Sequence, residues 1–280
     1  MSGTALVNGA TLAYDLIGRG PAVVLISGGG TLDRRMWNAQ VAALAARHTV
    51  LCYDVRGIGG SSPPDGPFSH SDDLHALMQS IRIARASLVG LSLGAAVAID
   101  FALDHPEMVQ GLVLAAPGLS NERDANVQAA LAAAEAARTQ GLPSVVDAIV
   151  NNDVVLASAG GEVRRLVRTM YLENAHVFAS DFALVRLWRP TDPPAAQRLS
   201  TIRVPTLVLV GNRDTAHIRE TVDVLTARIP HAETKVLKGG GHLLNLDTPE
   251  AFNEAMLDFL VRRAGSDGNE NGDPQPGVTA

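Results

Sequence analysis

Short apolar runs alternate with amphipathic stretches over most of this chain, and their spacing lays out its elements. Residues 4–7 and 10–14 are strand-like and flank Asn8-Gly9, a pair suited to the positive φ angles of a type I′ turn, so they read as an opening hairpin. Ala22-Val23-Val24-Leu25-Ile26 is continuously apolar, as expected of a strand buried on both faces. Met36, Val41 and Leu44 then fall on one helical stripe, followed by the strand-like Thr49-Val50-Leu51-Cys52-Tyr53. A Pro/Gly-rich loop at 57–67 leads to a helix over about 71–82 and to a short strand at 86–89. The next helix stops near His105-Pro106, because proline cannot continue it. Gly111-Leu112-Val113-Leu114-Ala115-Ala116 is another buried strand.

The alternation breaks from about 119 to 199. Ala-rich helical sequence at 125–138 gives way to helix-like segments carrying Met170, Tyr171, Phe178, Phe182 and Trp188. It resumes with a strand at 205–210, a helix at about 219–229, a strand at 232–238 and a closing helix at about 249–263. Strands regularly alternating with helices imply an α/β fold, with a mostly parallel sheet of about eight strands and helices on both faces. The expected division is a core in two parts, 1–118 and 203–263, with a helical cap inserted at 119–202 over the sheet's carboxyl edge. Residues 264–280 are polar and rich in Gly, Pro and Asn, so disorder is expected there.

Composition narrows the function classes. With 280 residues, 46% of them hydrophobic, the chain can fill a sizeable core. A formal charge of −6 argues against a nucleic-acid partner, which needs a clustered basic face. No run of about 18 apolar residues is present to span a membrane, and Met1-Ser2-Gly3-Thr4-Ala5 lacks the basic start of a signal peptide. The single cysteine, Cys52, excludes an internal disulfide and fits a reducing cytoplasm. Within its strand it reads as a small buried hydrophobe and not as a reactive thiol.

Chemistry enters at Gly90-Leu91-Ser92-Leu93-Gly94, which joins a strand to a helix rich in small residues. Glycines flanking a serine on such a turn form a nucleophile elbow, a strained bend that lifts the hydroxyl clear of the sheet. A serine hydroxyl needs a base to take its proton and a carboxylate to orient that base. In folds with this elbow the order along the chain is Ser, acid, His. Asp214 follows the 205–210 strand and His242 follows the 232–238 strand, both where loops leave the carboxyl edge. Asp214 has a plainer role open to it, as the cap of the helix nearby. Glu122 and Asp124, after the 111–116 strand, are a second location for the acid. An oxyanion hole needs two backbone N–H groups. Leu93 would supply one, and Gly29, with Gly28 and Gly30 close behind, would supply the other. His70 and His75, with Asp72 and Asp73 between them, superficially resemble a metal cluster, but a solvated helix start capped by Ser71 or the acids explains them better. No H-E-x-x-H or paired-Cys pattern supports a metal, and no cofactor is implied.

Across 5–118 and 203–263 the chain resembles the α/β-hydrolase superfamily. The matches are Asp54-x-Arg56-Gly57-x-Gly59-x-Ser61, the elbow at Ser92, His105-Pro106-Glu107-x-Val109, and Gly241-His242-x-x-Asn245 followed by Pro249-Glu250-Ala251-Phe252. Arg35-Met36-Trp37, Gly241-His242-Leu243-Leu244-Asn245 and Pro249-Glu250-Ala251-Phe252-Asn253 are most similar to β-ketoadipate enol-lactone hydrolases. The resemblance implies a capped, cofactor-independent serine hydrolase acting on a small carboxylic ester or lactone. It departs from the family at Ser27-Gly28, where His-Gly is usual, and at Ala95, where a second glycine is common. Two other functions share the triad: cleavage of a carbon–carbon bond or perhydrolysis, and ligand reception on the hydrolase fold. Leu243 counts against the carbon–carbon branch, whose members often place an aromatic there. Arg34 and Arg35 are either partners for a substrate carboxylate or solvated loop arginines. Met170 and the aromatics at 171–188 are either the roof of a pocket or the cap's own core.

Overall fold

The structure is a computed structural model and describes residues 1–120, 123–152 and 154–267. β1 (Ser2–Val7) and β2 (Ala10–Ile17) form the opening antiparallel hairpin, with Asn8 at φ 46 and Gly9 at φ 75 in the turn. There follow β3 (Ala22–Ile26), a 3-10 turn at Arg34–Trp37, α1 (Asn38–Leu44), β4 (Thr49–Tyr53), α2 (His70–Ser80), β5 (Ala86–Leu91), α3 (Leu93–Asp104) and β6 (Val109–Ala115). Between β6 and the next strand lie α4 (Arg123–Gln140), α5 (Leu142–Asn152), α6 (Gly161–Glu173), α7 (Ala175–Ala179), α8 (Ala183–Arg186) and α9 (Ala195–Arg198). The chain closes with β7 (Thr206–Gly211), α10 (Ala216–Arg228), β8 (Ala232–Leu237), α11 (Leu244–Asp247) and α12 (Pro249–Asp267).

The eight strands form one sheet in the order β1-β2-β4-β3-β5-β6-β7-β8. β2 is antiparallel to β1 and β4, and all later neighbours are parallel, as the alternating pattern requires. The carboxyl ends of β3, β5, β7 and β8 therefore share one edge, and the loops that follow them meet there. β5 is buried along its whole length, and α3 is buried at every position from Gly94 to Leu103. Alanines on α3 let it lie close against the strands.

One expectation is corrected. The start of α2 is not solvated: His70, Ser71 and Asp73 are buried, and Ser69 caps the helix instead, its Oγ accepting from Asp72 N–H at 3.1 Å. The end of the inserted helical segment covers this turn, pairing Phe68 with Trp188 so that the His70 ring lies 4.8 Å from Phe68 and 5.3 Å from Trp188. Burial among these rings pushes the His70 pKa down to about 4. Asp73 faces Arg56, whose Nε and Nη2 both donate to it at 2.7 Å. His75 instead stacks on His105 at 4.1 Å. Among the described residues no group of three potential metal ligands forms. α12 extends to Asp267, and residues 268–280 of the tail for which the sequence predicts disorder lie outside the described residues.

Candidate active site

Ser92 sits at φ 55, ψ −111 between β5 and α3, a backbone state that L-residues rarely adopt. The flanking glycines are a steric requirement of that bend. A Cβ at Gly90 would lie 2.2 Å from Gly94 O, and one at Gly94 would lie 2.1 Å from Ile26 O. The bend is held by Ser92 N–H donating to Ala115 O at 2.9 Å and by Ala95 N–H donating to Ser92 O at 3.0 Å. Ala95 thus fits where the resemblance has a second glycine.

The loops after β7 and β8 touch each other. A Cβ at Gly211 would lie 2.2 Å from Gly240 O, and Arg213 N–H donates to that same carbonyl at 3.0 Å. This contact presents Asp214 and His242 side by side. The Asp214 side chain is wholly buried, and both its oxygens lie 3.3 Å from His242 Nδ1. The helix-cap role belongs to Thr215, whose Oγ1 accepts from Ile218 N–H, while Thr215 N–H in turn donates to Asp214 Oδ1 at 2.7 Å. His242 Nε2 is 3.0 Å from Ser92 Oγ across 150 residues of sequence. A neutral imidazole with its proton on Nδ1 satisfies both contacts, donating to Asp214 and accepting from the serine hydroxyl. Of the second location for the acid, Glu122 and the side chain of Asp124 lie outside the described residues.

One carboxylate here was not read from the sequence. Asp247 Oδ2 accepts from Gly241 N–H at 2.9 Å and so fixes the backbone immediately before His242. Burial raises its pKa and the nearby Asp214 charge adds to this, while Gly241 N–H, Arg164 and His242 pull it the other way. Only the glycine loop's need for an acceptor hints at it.

Gly28 N–H is aimed at Met36 Sδ, 3.4 Å away. Gly29 faces the elbow, since a Cβ there would rest 3.5 Å from Leu93 Cβ. Gly30, at φ 74, lies under Tyr171. These residues open on a cavity of about 600 Å³ that also reaches Ser92 and His242. The helical segment contributes Ala129, Ile149, Val167, Tyr171, Phe182 and Trp188 to its wall. Met170 and Phe178 are buried away from that wall, so the segment's large side chains divide between a pocket surface and its own core.

Arg34 and Arg35 lie outside this cavity and remain partly exposed to solvent. They line a separate polar recess of about 410 Å³, where Arg34 pairs with Asp15 at 2.6 Å and with the buried Asp54. Arg35 pairs with Asp33 and with Glu173, each at 2.6 Å. Cys52, also beside that recess, is buried, and burial pushes its thiol pKa up, as expected of a packing residue.

A mostly parallel eight-stranded sheet with a strained serine at the β5–α3 turn defines the α/β-hydrolase class. Residues 23–255 match the alpha/beta hydrolase family, and the chain belongs to it. Among its relatives is 3-oxoadipate enol-lactonase 2 of Acinetobacter baylyi, 27% identical over 86% of this chain and 89% of that protein. A crystal structure of a hydrolase from Pseudomonas aeruginosa PA01 superposes with a TM-score of 0.76 at 32% identity, covering 92% of this chain and 98% of that one. A thermophilic esterase from Thermogutta terrifontis gives a TM-score of 0.78 at 26% identity, covering 94% and 99%. Among the described residues no helix is long and apolar enough to cross a membrane.

Proposed function

We propose that this chain is a cofactor-independent serine hydrolase cleaving a small carboxylic ester or lactone through Ser92, His242 and Asp214. The observation that carries the reading is the 3.0 Å contact between His242 Nε2 and Ser92 Oγ, with Asp214 at 3.3 Å behind the ring. His242 takes the Ser92 proton as Oγ attacks the substrate carbonyl carbon, and the Asp214 carboxylate stabilises the imidazolium that forms. The Gly29 and Leu93 N–H groups hold the oxyanion, helped by the positive end of the α3 dipole. His242 then gives its proton to the leaving alkoxide oxygen. A water molecule, deprotonated by the same imidazole, releases the acyl group and restores the serine. For a lactone, the leaving oxygen stays tethered to the acyl chain, so both steps yield one hydroxy acid.

The apolar wall suits an uncharged acyl group, and the enol-lactonase and esterase among the relatives support this substrate class. The test is labelling with a fluorophosphonate, followed by peptide mapping. Ser92 should carry the label, and Ser92→Ala should lower kcat on p-nitrophenyl esters and small lactones by about 10⁵-fold or more. Full activity in Ser92→Ala rules the assignment out.

A further inference from the structure

One turn of α6 is fastened directly to the loop that precedes the 3-10 turn. Asn174, buried just past the end of α6, donates through Nδ2 to Thr31 O at 3.1 Å and to Asp33 Oδ2 at 3.2 Å. Its Oδ1 accepts from Gly59 N–H at 2.8 Å, so a single amide side chain joins the helix to two core loops. The Arg35–Glu173 pair reinforces this junction at 2.6 Å. Residues three apart share a helix face, so fixing Asn174 also fixes Tyr171. Its hydroxyl comes to rest on the glycine loop: a Cβ at Gly30 would lie 2.6 Å from Tyr171 Oη. Tyr171 also lines the catalytic cavity, in contact with Phe178 at 6.2 Å between ring centroids.

We propose that Tyr171 is a catalytic residue that contacts the substrate, its hydroxyl donating to the carbonyl oxygen beside the Gly29 and Leu93 amides. This rests on the serine-hydrolase reading above. The placement argues for the carbonyl oxygen because Gly30 directly follows Gly29, and adjacent Cα atoms are only about 3.8 Å apart. In a cavity with apolar walls, a donor aimed at developing negative charge gains strength as the charge forms. The residue comes from the inserted helical segment and not from the sheet. The oxyanion site is therefore complete only when α6 is docked on the core.

The experiment compares wild type, Tyr171→Phe and Ser92→Ala on one neutral ester. Tyr171→Phe should lower kcat by roughly 10–100-fold, somewhat less than the usual loss of an oxyanion-hole donor, and leave KM within about twofold. Its melting temperature and the final extent of fluorophosphonate labelling should match wild type, separating a lost donor from a lost fold. If Ser92→Ala is inactive while Tyr171→Phe keeps its kcat, or changes only KM, the tyrosine proposal falls and the hydrolase reading stands. An active Ser92→Ala overturns the underlying reading itself. Gly30→Ala adds a geometric check. Its methyl should cost more activity beside Tyr171 than in a Tyr171→Phe background, and strictly additive losses overturn the placement.

Discussion

At Gly94, a side chain as small as a methyl would lie 2.1 Å from the Ile26 carbonyl oxygen and 2.7 Å from Ser27 O. Both neighbours are backbone atoms at the end of a central strand, so neither can swing aside. Gly94→Ala must therefore push α3 away from β3, and overpacking of this kind costs about 3 kcal/mol. A loss of that size should lower the melting temperature by roughly 6–12 °C and disturb the Ser92 turn, which thermal denaturation and fluorophosphonate labelling together would show. Ala95, one residue on, is the contrast: it is buried but donates its amide to Ser92 O and needs no such shift. A glycine in this elbow is thus required by the distance to a neighbouring strand. That distance is set by the fold and not by the five-residue motif.

Between elements, one carboxyl group ties the helical segment to the core at both ends. Asp100 on α3 accepts from Ser120 Oγ at 2.8 Å, where the chain leaves β6, and from Thr191 N–H at 3.3 Å, where it returns. Burial pushes its pKa up to about 7, against the hydrogen bonds from Ser120 and Thr191; Asp104 adds to the rise and Arg198 opposes it. The folded state therefore holds a proton that the unfolded chain gives up near pH 4, so this group's contribution to stability falls as pH rises from about 4 to about 7. His70 acts in the opposite sense. Its pKa is depressed to about 4, so its contribution falls as pH drops from about 6.5 toward 4. Asp100→Asn should remove the first slope and leave the second. Melting temperatures from pH 4 to 8 should then decline more steeply on the acid side than in wild type, and unchanged curves would show that Asp100 does not titrate there. None of this linkage was legible in the sequence, because it depends on which loops meet α3. The central strands were legible, since β3, β5 and β6 are buried on both faces along most of their length and are largely apolar. The residues at 92, 214 and 242 could be named because each lies in the loop that leaves a strand's carboxyl end. The solvated start assigned to α2 failed because Trp188, more than a hundred residues away, covers it. α7, α8 and α9 are four or five residues long, too short for any hydrophobic period to register. Asp247 and Tyr171 gain their places only through tertiary contact.

For the whole molecule, charge bears on the proposed substrate class. The chain carries a formal −6, and no lysine or arginine is found among the described residues that line the cavity reaching Ser92 and His242. Arg34 and Arg35, the two cations nearest the glycine loop in sequence, are committed to four carboxylates around the separate recess. A free carboxylate on the substrate would thus meet no lysine or arginine among those described residues to offset its lost hydration, a cost that a neutral ester avoids. The double variant Arg34→Ala, Arg35→Ala should therefore keep its KM for an acidic lactone within about twofold of wild type. It should also keep the same preference for the corresponding methyl ester. Its stability should fall, because the buried Asp54 loses its guanidinium partner and keeps only backbone N–H donors from residues 34 and 60. Allowing for the partial exposure of Arg34, that loss is about 2 kcal/mol, or a melting temperature lower by roughly 4–8 °C. Michaelis–Menten kinetics on the acid and ester pair, with melts of both proteins, separate the two roles. A tenfold rise in KM confined to the acidic lactone would place an arginine on the substrate after all, whereas a lower melting temperature with an unchanged KM ratio assigns both side chains to structure, Arg34 joining Asp15 of β2 to Asp54 after β4 and Arg35 joining Asp33 to Glu173 of α6.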